Sequence, residues 1–204
     1  MNRAVVAMVV VVVSAGCAGL SVDLIESSEP DRVDATVIEV IDGDTIDVRY
    51  SNGNVDTVRL LGVDSPETFA ESTPAEFEGV PDTETGRECL RSAGDDATNF
   101  TTRSLLGEEV TLVIDRDADR RDRYDRLLAY VYLEDENFNY RLVAAGHARV
   151  YDSEFTESDR FYAAETEARS SQIGVWRCTR EEALDVSIGS AIDATVAIAL
   201  LSSR

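Results

Sequence analysis

A chain of 204 residues with 44% hydrophobic content has room for one ordinary domain plus flanking segments, which excludes wholesale disorder. Its formal charge of −21 sets 40 acidic residues against 19 basic ones, all of them Arg. This excludes a broadly basic surface that would draw polyanions from a distance. The composition instead resembles the surfaces of halophilic proteins, whose self-repulsion is screened at 1 M salt, where the Debye length is about 3 Å.

In chain order, the first segment reads as a processed signal. Arg3 precedes an apolar run, Ala4 to Val13, that is short for a membrane span of about 20 residues. Ser14-Ala15-Gly16-Cys17 resembles a lipobox, although Ser14 stands where an aliphatic residue is usual. The expectation is a signal peptide over 1–16, a lipidated Cys17 as mature N-terminus, and an extracytoplasmic protein anchored to the membrane. Simple secretion is the alternative. Residues 17–34 read as an acidic tether. Outside the cytoplasm a disulfide is permitted, and beside Cys17 the two cysteines that remain, Cys89 and Cys178, are an even count in the mature domain. The other reading is two unrelated buried thiols.

The domain is expected over 35–178. Ala35 to Val40, Thr45 to Tyr50 and Val55 to Leu61 have strand composition. Ser51-Asn52-Gly53-Asn54 is a hairpin signal between the last two. A long polar loop runs from Gly62 to about Gly86. A helix follows, most secure from Ala97 to Leu106 and ended by Gly107. Glu109 to Ile114 and Leu127 to Tyr132 are further strands. Tyr140 to Ala145 and Ser158 to Ser170 read as helices, the second carrying Phe161, Ala164 and Ala168 at helical spacing. The fold class is therefore α+β, mainly β: a five-stranded OB-fold barrel with three helices. Residues 179–204 read as a tail, with Ile188, Ile192, Val196 and Leu200 spaced for a short amphipathic helix.

Three motifs carry chemistry. Asp42-Gly43-Asp44-Thr45 joins two strands and alone is most simply a turn. Asp64 follows the third strand, and carboxylate oxygens are the ligands that hard cations take. With His147 read as structural, Glu67 is the remaining base near those carboxylates. Arg59, set among apolar neighbours, and Arg126 can each chelate phosphate oxygens. The loop Asp115 to Arg126 interleaves five Asp with five Arg, so it is locally neutral and reads mostly as solvated. It mimics an EF-hand start, but Arg120 and Arg126 stand where Gly and Glu are required.

Together these motifs resemble the thermonuclease (staphylococcal-nuclease-like) family. The matches are Ile41-Asp42-Gly43-Asp44-Thr45, Arg59-Leu60-Leu61 with Val63-Asp64-Ser65-Pro66-Glu67, and Asp122-Arg123-Tyr124 with Arg126 and Leu128-Ala129-Tyr130. Gly146-His147-Ala148-Arg149-Val150 and Gly174-Val175-Trp176 fit its later pattern. The resemblance implies Ca²⁺-dependent cleavage of DNA and RNA at the 5′ P–O bond. It implies Asp44, Asp64 and the Ser65 carbonyl as Ca²⁺ ligands, Glu67 as general base, and Arg59 and Arg126 on the scissile phosphate. Tyr124 and Tyr151 would contact substrate. Asp125 departs from the usual Gly before the catalytic Arg. A monomer is expected. The rival readings are a non-catalytic OB-fold lipoprotein that binds single strands, and a surface lipoprotein whose acidic face binds cations.

Overall fold

The computed structural model describes residues 31–68 and 73–179. In chain order its elements are β1 (Arg32–Val40), β2 (Thr45–Tyr50), β3 (Val55–Leu60), β4 (Val63–Asp64), α1 (Glu84–Leu105), β5 (Glu109–Val113) and β6 (Leu127–Leu133). Then come β7 (Glu136–Asn137), α2 (Phe138–Ala144), β8 (Arg149–Val150) and α3 (Ser158–Ser170). Strands β1, β2 and β3 form an antiparallel meander, with Gly53 at φ 87° in the β2–β3 hairpin. β5 pairs with β1 and with β6, and β6 runs parallel to β3. These five strands therefore close on themselves as a barrel, the OB-type architecture with three α-helices around it.

The barrel interior takes the inward half of each alternating strand: Val37, Ile46, Val48, Val58, Leu60, Leu112, Ala129 and Val131 are fully buried. Buried Asn139 of α2 fastens the point where β3 meets β6. Its side-chain amide donates to the carbonyls of Leu61 and Ala129 at 3.0 and 3.1 Å and accepts from the Val131 N–H at 2.9 Å. A polar residue fully hydrogen-bonded in this way sits in the core without a desolvation penalty left open.

Several elements begin earlier than their sequence pattern indicates. β1 starts at Arg32, inside the stretch that reads as tether, because Arg32, Val33 and Asp34 pair with Val113, Leu112 and Thr111. Those three side chains are exposed, so no apolar alternation marks them. α1 starts at Glu84, capped by the Thr83 hydroxyl, which accepts from the Gly86 N–H at 3.1 Å. α2 starts at Phe138, where the Asn137 side chain accepts from the Tyr140 N–H. The loop after Gly62 also contains β4, which pairs with β8, and a short 3₁₀ turn at Pro74–Glu76.

A second, smaller core lies beside the barrel. It gathers Phe77, Val80, Leu90, Ala93, Ala168, Val175 and Trp176, and the Cys89–Cys178 disulfide joins α1 to the last 3₁₀ turn across it. The segment read as a signal, Cys17, most of the stretch read as a tether and the apolar stretch Val186 to Leu201 lie outside the described residues. Among the described residues no helix is long and apolar enough to cross a membrane.

Candidate active site

Asp44 is placed by contacts distant in sequence. The turn between β1 and β2 is an Asx turn, in which the Asp44 N–H donates to Asp42 Oδ1 at 3.0 Å. The turn rests on α1, where the buried Thr101 hydroxyl donates to the Gly43 carbonyl at 2.7 Å. A Cβ at Gly43 would lie 2.7 Å from Ala97 Cβ and from Ser65 Oγ, so only glycine permits this approach. The Asp44 carboxylate is thereby driven inward and is 4% exposed.

The segment after β3 meets it there. Ser65, also buried, donates its N–H to Asp44 Oδ2 at 2.6 Å. Arg59 points from β3 to both carboxylates: its Nη1 pairs with Asp44 Oδ1, and its Nη2 with Asp64 Oδ1 at 2.7 Å. Glu67 follows, exposed, in the irregular stretch after β4, which α1 supports. A Cβ on Gly94 would lie 2.6 Å from the Pro66 carbonyl oxygen.

Asp44, Arg59 and Glu67 open onto one groove of about 740 Å³. Its far wall is the Asp117–Arg126 region, with Tyr124 and Arg126, and Tyr151 with Glu154 closes one side. Arg126 is held by Asp122, which accepts from Nε at 2.7 Å and pairs with Nη2 at 2.6 Å, leaving Nη1 3.5 Å from the Thr45 hydroxyl. Tyr124 is 64% exposed, with the guanidiniums of Arg123 and Arg126 lying 4.7 and 5.4 Å from its ring centroid. Tyr151 is half exposed. The structure thus brings Asp44, Asp64, Ser65 and Arg59 into direct contact. Glu67, Arg126, Tyr124 and Tyr151 stand around the groove.

The family model for "Staphylococcal nuclease homologue" matches residues 57–178. Over 144 residues the chain is 36% identical to the thermonuclease of Staphylococcus intermedius, covering 69% of this chain and 74% of that one. The chain belongs to the staphylococcal nuclease homologue family. It is also 38% identical over 147 residues to an uncharacterised protein of Methanocaldococcus jannaschii, with 69% and 70% of the two chains covered. Its identity to the SPbeta prophage-derived endonuclease YokF of Bacillus subtilis is 37% over 147 residues, 71% of this chain but 44% of that longer one.

The donor chemistry of this staphylococcal nuclease homologue suits a hard cation. Asp42, Asp44 and Glu67 present carboxylate oxygens to the groove, and Asp64 lies just behind. Their charges are not fully balanced. Burial, then the charge of Asp44, push Asp42 up to about 7. Burial, then Asp44 and Asp64, raise Glu67 above the usual carboxylate range. Burial opposes charge on Asp44 as well, but the Arg59 guanidinium and the Ser65 N–H outweigh it and hold Asp44 low. Among the described residues, however, no group of three or more His, Cys, Asp or Glu is already arranged around a metal position. Arg59 balances the charge of Asp44 and Asp64 in this arrangement.

The Asp42 shift carries a pH prediction for the cation-free protein. Between the ordinary value of 3.8 and about 7, folded Asp42 keeps a proton that the unfolded chain has lost. Its contribution to stability is therefore full below about pH 4 and is lost as pH rises toward 7. Thermal melts in chelator should show Asp42→Asn gaining stability over the parent across that window. An equal pH slope in parent and variant would refute the assignment.

Sequence reasoning passed over Asp42, Asp122 and Arg149, which contact the site residues directly. It also took the Asp115–Arg126 loop as mostly solvated. Most of it is exposed, as that reading has it, with Arg116, Asp117, Asp119, Arg120, Arg121, Arg123, Tyr124 and Asp125 open to solvent, but the loop also forms a wall of the groove. Asp115 accepts from the Tyr130 hydroxyl at 2.6 Å and from the Thr156 N–H and hydroxyl at 2.7 Å each. Arg121 binds both oxygens of Asp56 at 3.1 and 2.7 Å and donates to the Asp125 carbonyl at 2.5 Å. That last bond braces Asp125, which takes a left-handed φ of 65° where the family pattern has Gly. His147 is half-buried and packs against Phe100 with ring centroids 4.4 Å apart, away from the groove.

Proposed function

We propose that this chain is a Ca²⁺-dependent nuclease that hydrolyses DNA and RNA at the 5′ P–O bond, with Glu67 as general base. The observation that carries the reading is the convergence of Arg59, Arg126, Glu67 and Asp44 on one open groove. Its family membership and the relatives named thermonuclease and endonuclease support the same enzyme class.

In this reading Arg126 and Arg59 hold the non-bridging oxygens of the scissile phosphate, and Tyr124 and Tyr151 flank the strand. Glu67 takes a proton from a water as that water attacks phosphorus in line and the bond to the 5′ oxygen breaks. Asp122 fixes the Arg126 fork before substrate arrives. Asp44, Asp64 and the Ser65 carbonyl would hold Ca²⁺, which when bound supplies a positive charge that stabilises the phosphorane-like transition state. The groove itself is acid-rich, with Asp117, Asp119, Asp122 and Glu154 in its wall. Arg121 and Arg123 line it as well, so phosphate attraction rests on these arginines with Arg59, Arg126 and the cation, and operation at high ionic strength removes the long-range repulsion. We also propose an extracytoplasmic, lipid-anchored protein with Cys17 as its attachment point. The lipobox-like ending and a disulfide suited to an oxidising compartment support this.

Single-stranded DNA incubated with the protein at about 1 M salt should be cut with Ca²⁺ present and left intact in chelator. Arg126→Ala should lower kcat/KM by roughly 10²–10³-fold. Tight binding of DNA without cleavage at every salt and Ca²⁺ level would instead establish a binding module.

A further inference from the structure

Each oxygen of Asp64 is taken by a different arginine, and the two arginines stand in different surroundings. Arg59 holds Oδ1 at 2.7 Å, lines the groove and also grips Asp44. Arg149 holds Oδ2 at 2.7 Å from outside the groove lining. It is the residue directly opposite Asp64 in the β4–β8 ladder, a register that brings side chains close. Its guanidinium lies over the rings of Phe77 and Tyr151, 5.6 and 5.9 Å from their centroids. Phe77 is itself fixed in the small core beside Trp176. Arg149 is thus held from three sides, and only 19% of its side chain is exposed.

We infer that Arg149 is a positioning residue for cation binding. This rests on the reading that Asp44 and Asp64 are the cation's carboxylate ligands. When a cation displaces Arg59, Asp64 loses its Oδ1 partner and would otherwise be free to turn. Arg149 keeps Oδ2, so Oδ1 stays aimed at the Asp44 side. Groups that orient a ligating carboxylate typically change metal affinity by roughly 10–100-fold when removed. Simple Coulomb attraction has the opposite sign. Arg149 is a positive charge beside the cation position, and deleting it would by itself tighten cation binding. The direction of the change therefore separates positioning from bulk charge.

The test is calorimetric titration of the full chain with CaCl₂, without nucleic acid, for the parent, Arg149→Met and Arg149→Lys. Circular dichroism and melts check folding. Arg149→Met should bind Ca²⁺ roughly 10–100-fold more weakly. Arg149→Lys keeps the charge but not the planar fork, and should be weaker by about tenfold, the lower end of that range. Unchanged or tighter binding by folded Arg149→Met overturns the proposal. If that variant does not fold, parent-like affinity in Arg149→Lys overturns it. A parent that binds no Ca²⁺ overturns the cation reading itself, and the positioning role with it.

Discussion

A Glu67→Gln variant should fold like the parent yet cleave DNA roughly 10²–10⁴ times more slowly, the range lost when a positioned general base is removed. Glutamine keeps the shape and the hydrogen-bonding carbonyl but cannot accept a proton. The residue is exposed in an irregular stretch, its carboxyl only partly desolvated by the groove it lines, so its replacement should leave Tm nearly unchanged. The carboxyl is raised by burial, then by Asp44 and Asp64. A base works only when ionised, so activity should fall on acidification at a higher pH than an ordinary Glu would dictate. Ca²⁺, by balancing Asp44 and Asp64, should move that limb back toward lower pH. Single-turnover cleavage followed against pH at subsaturating and at saturating Ca²⁺ reads both effects. Cleavage by Glu67→Gln within a few-fold of the parent would assign the base to another group.

Removing the disulfide should have the largest effect on stability. Cys89 and Cys178 are separated by 89 positions, so the bond closes most of the domain into one loop. Loop-closure entropy for that length is worth about 4–5 kcal/mol in the chain-entropy model, and measured losses run about 2–5 kcal/mol. For a domain of this size that corresponds to a fall in Tm of roughly 10 °C. A Cys89→Ala/Cys178→Ala double variant and the reduced parent should therefore melt early together. The small core around Phe77 and Trp176 should loosen first, because it has fewer buried residues than the barrel and the bond lies in it. Hydrogen exchange near residues 74–80 and 174–178 would show this. A Tm unchanged by reduction would mean that packing alone holds the small core.

These two predictions separate chemistry from architecture. Glu67 is expected to matter for rate and little for stability. The cysteines are expected to matter for stability first, and for the site through what they anchor: Phe77, whose ring lies under Arg149, and α1, whose Thr101 holds the Gly43 carbonyl.

The sequence by itself determined the local features of this protein. Alternating apolar residues mark the middles of β1, β2, β3, β5 and β6, since strand periodicity is written in neighbouring positions. The Gly53 hairpin and the span of α3 are legible for the same reason, and the spacing of the three motifs is enough to reveal the family. Tertiary structure decided what depends on partners far away in the chain. The start of β1 is set by pairing with β5, and the start of α1 by a cap within a polar stretch. Asp44 is aimed through the Gly43 carbonyl, held by Thr101 from 58 positions away, and by a glycine that α1 leaves no room to replace. Whether Asp42-Gly43-Asp44-Thr45 is only a turn or part of a site could not be read locally, because the decision lies with Arg59, Ser65 and α1. Arg149 is invisible beside Asp64 in the sequence for the same physical reason: the β4–β8 ladder that joins them exists only once the chain has closed around the barrel.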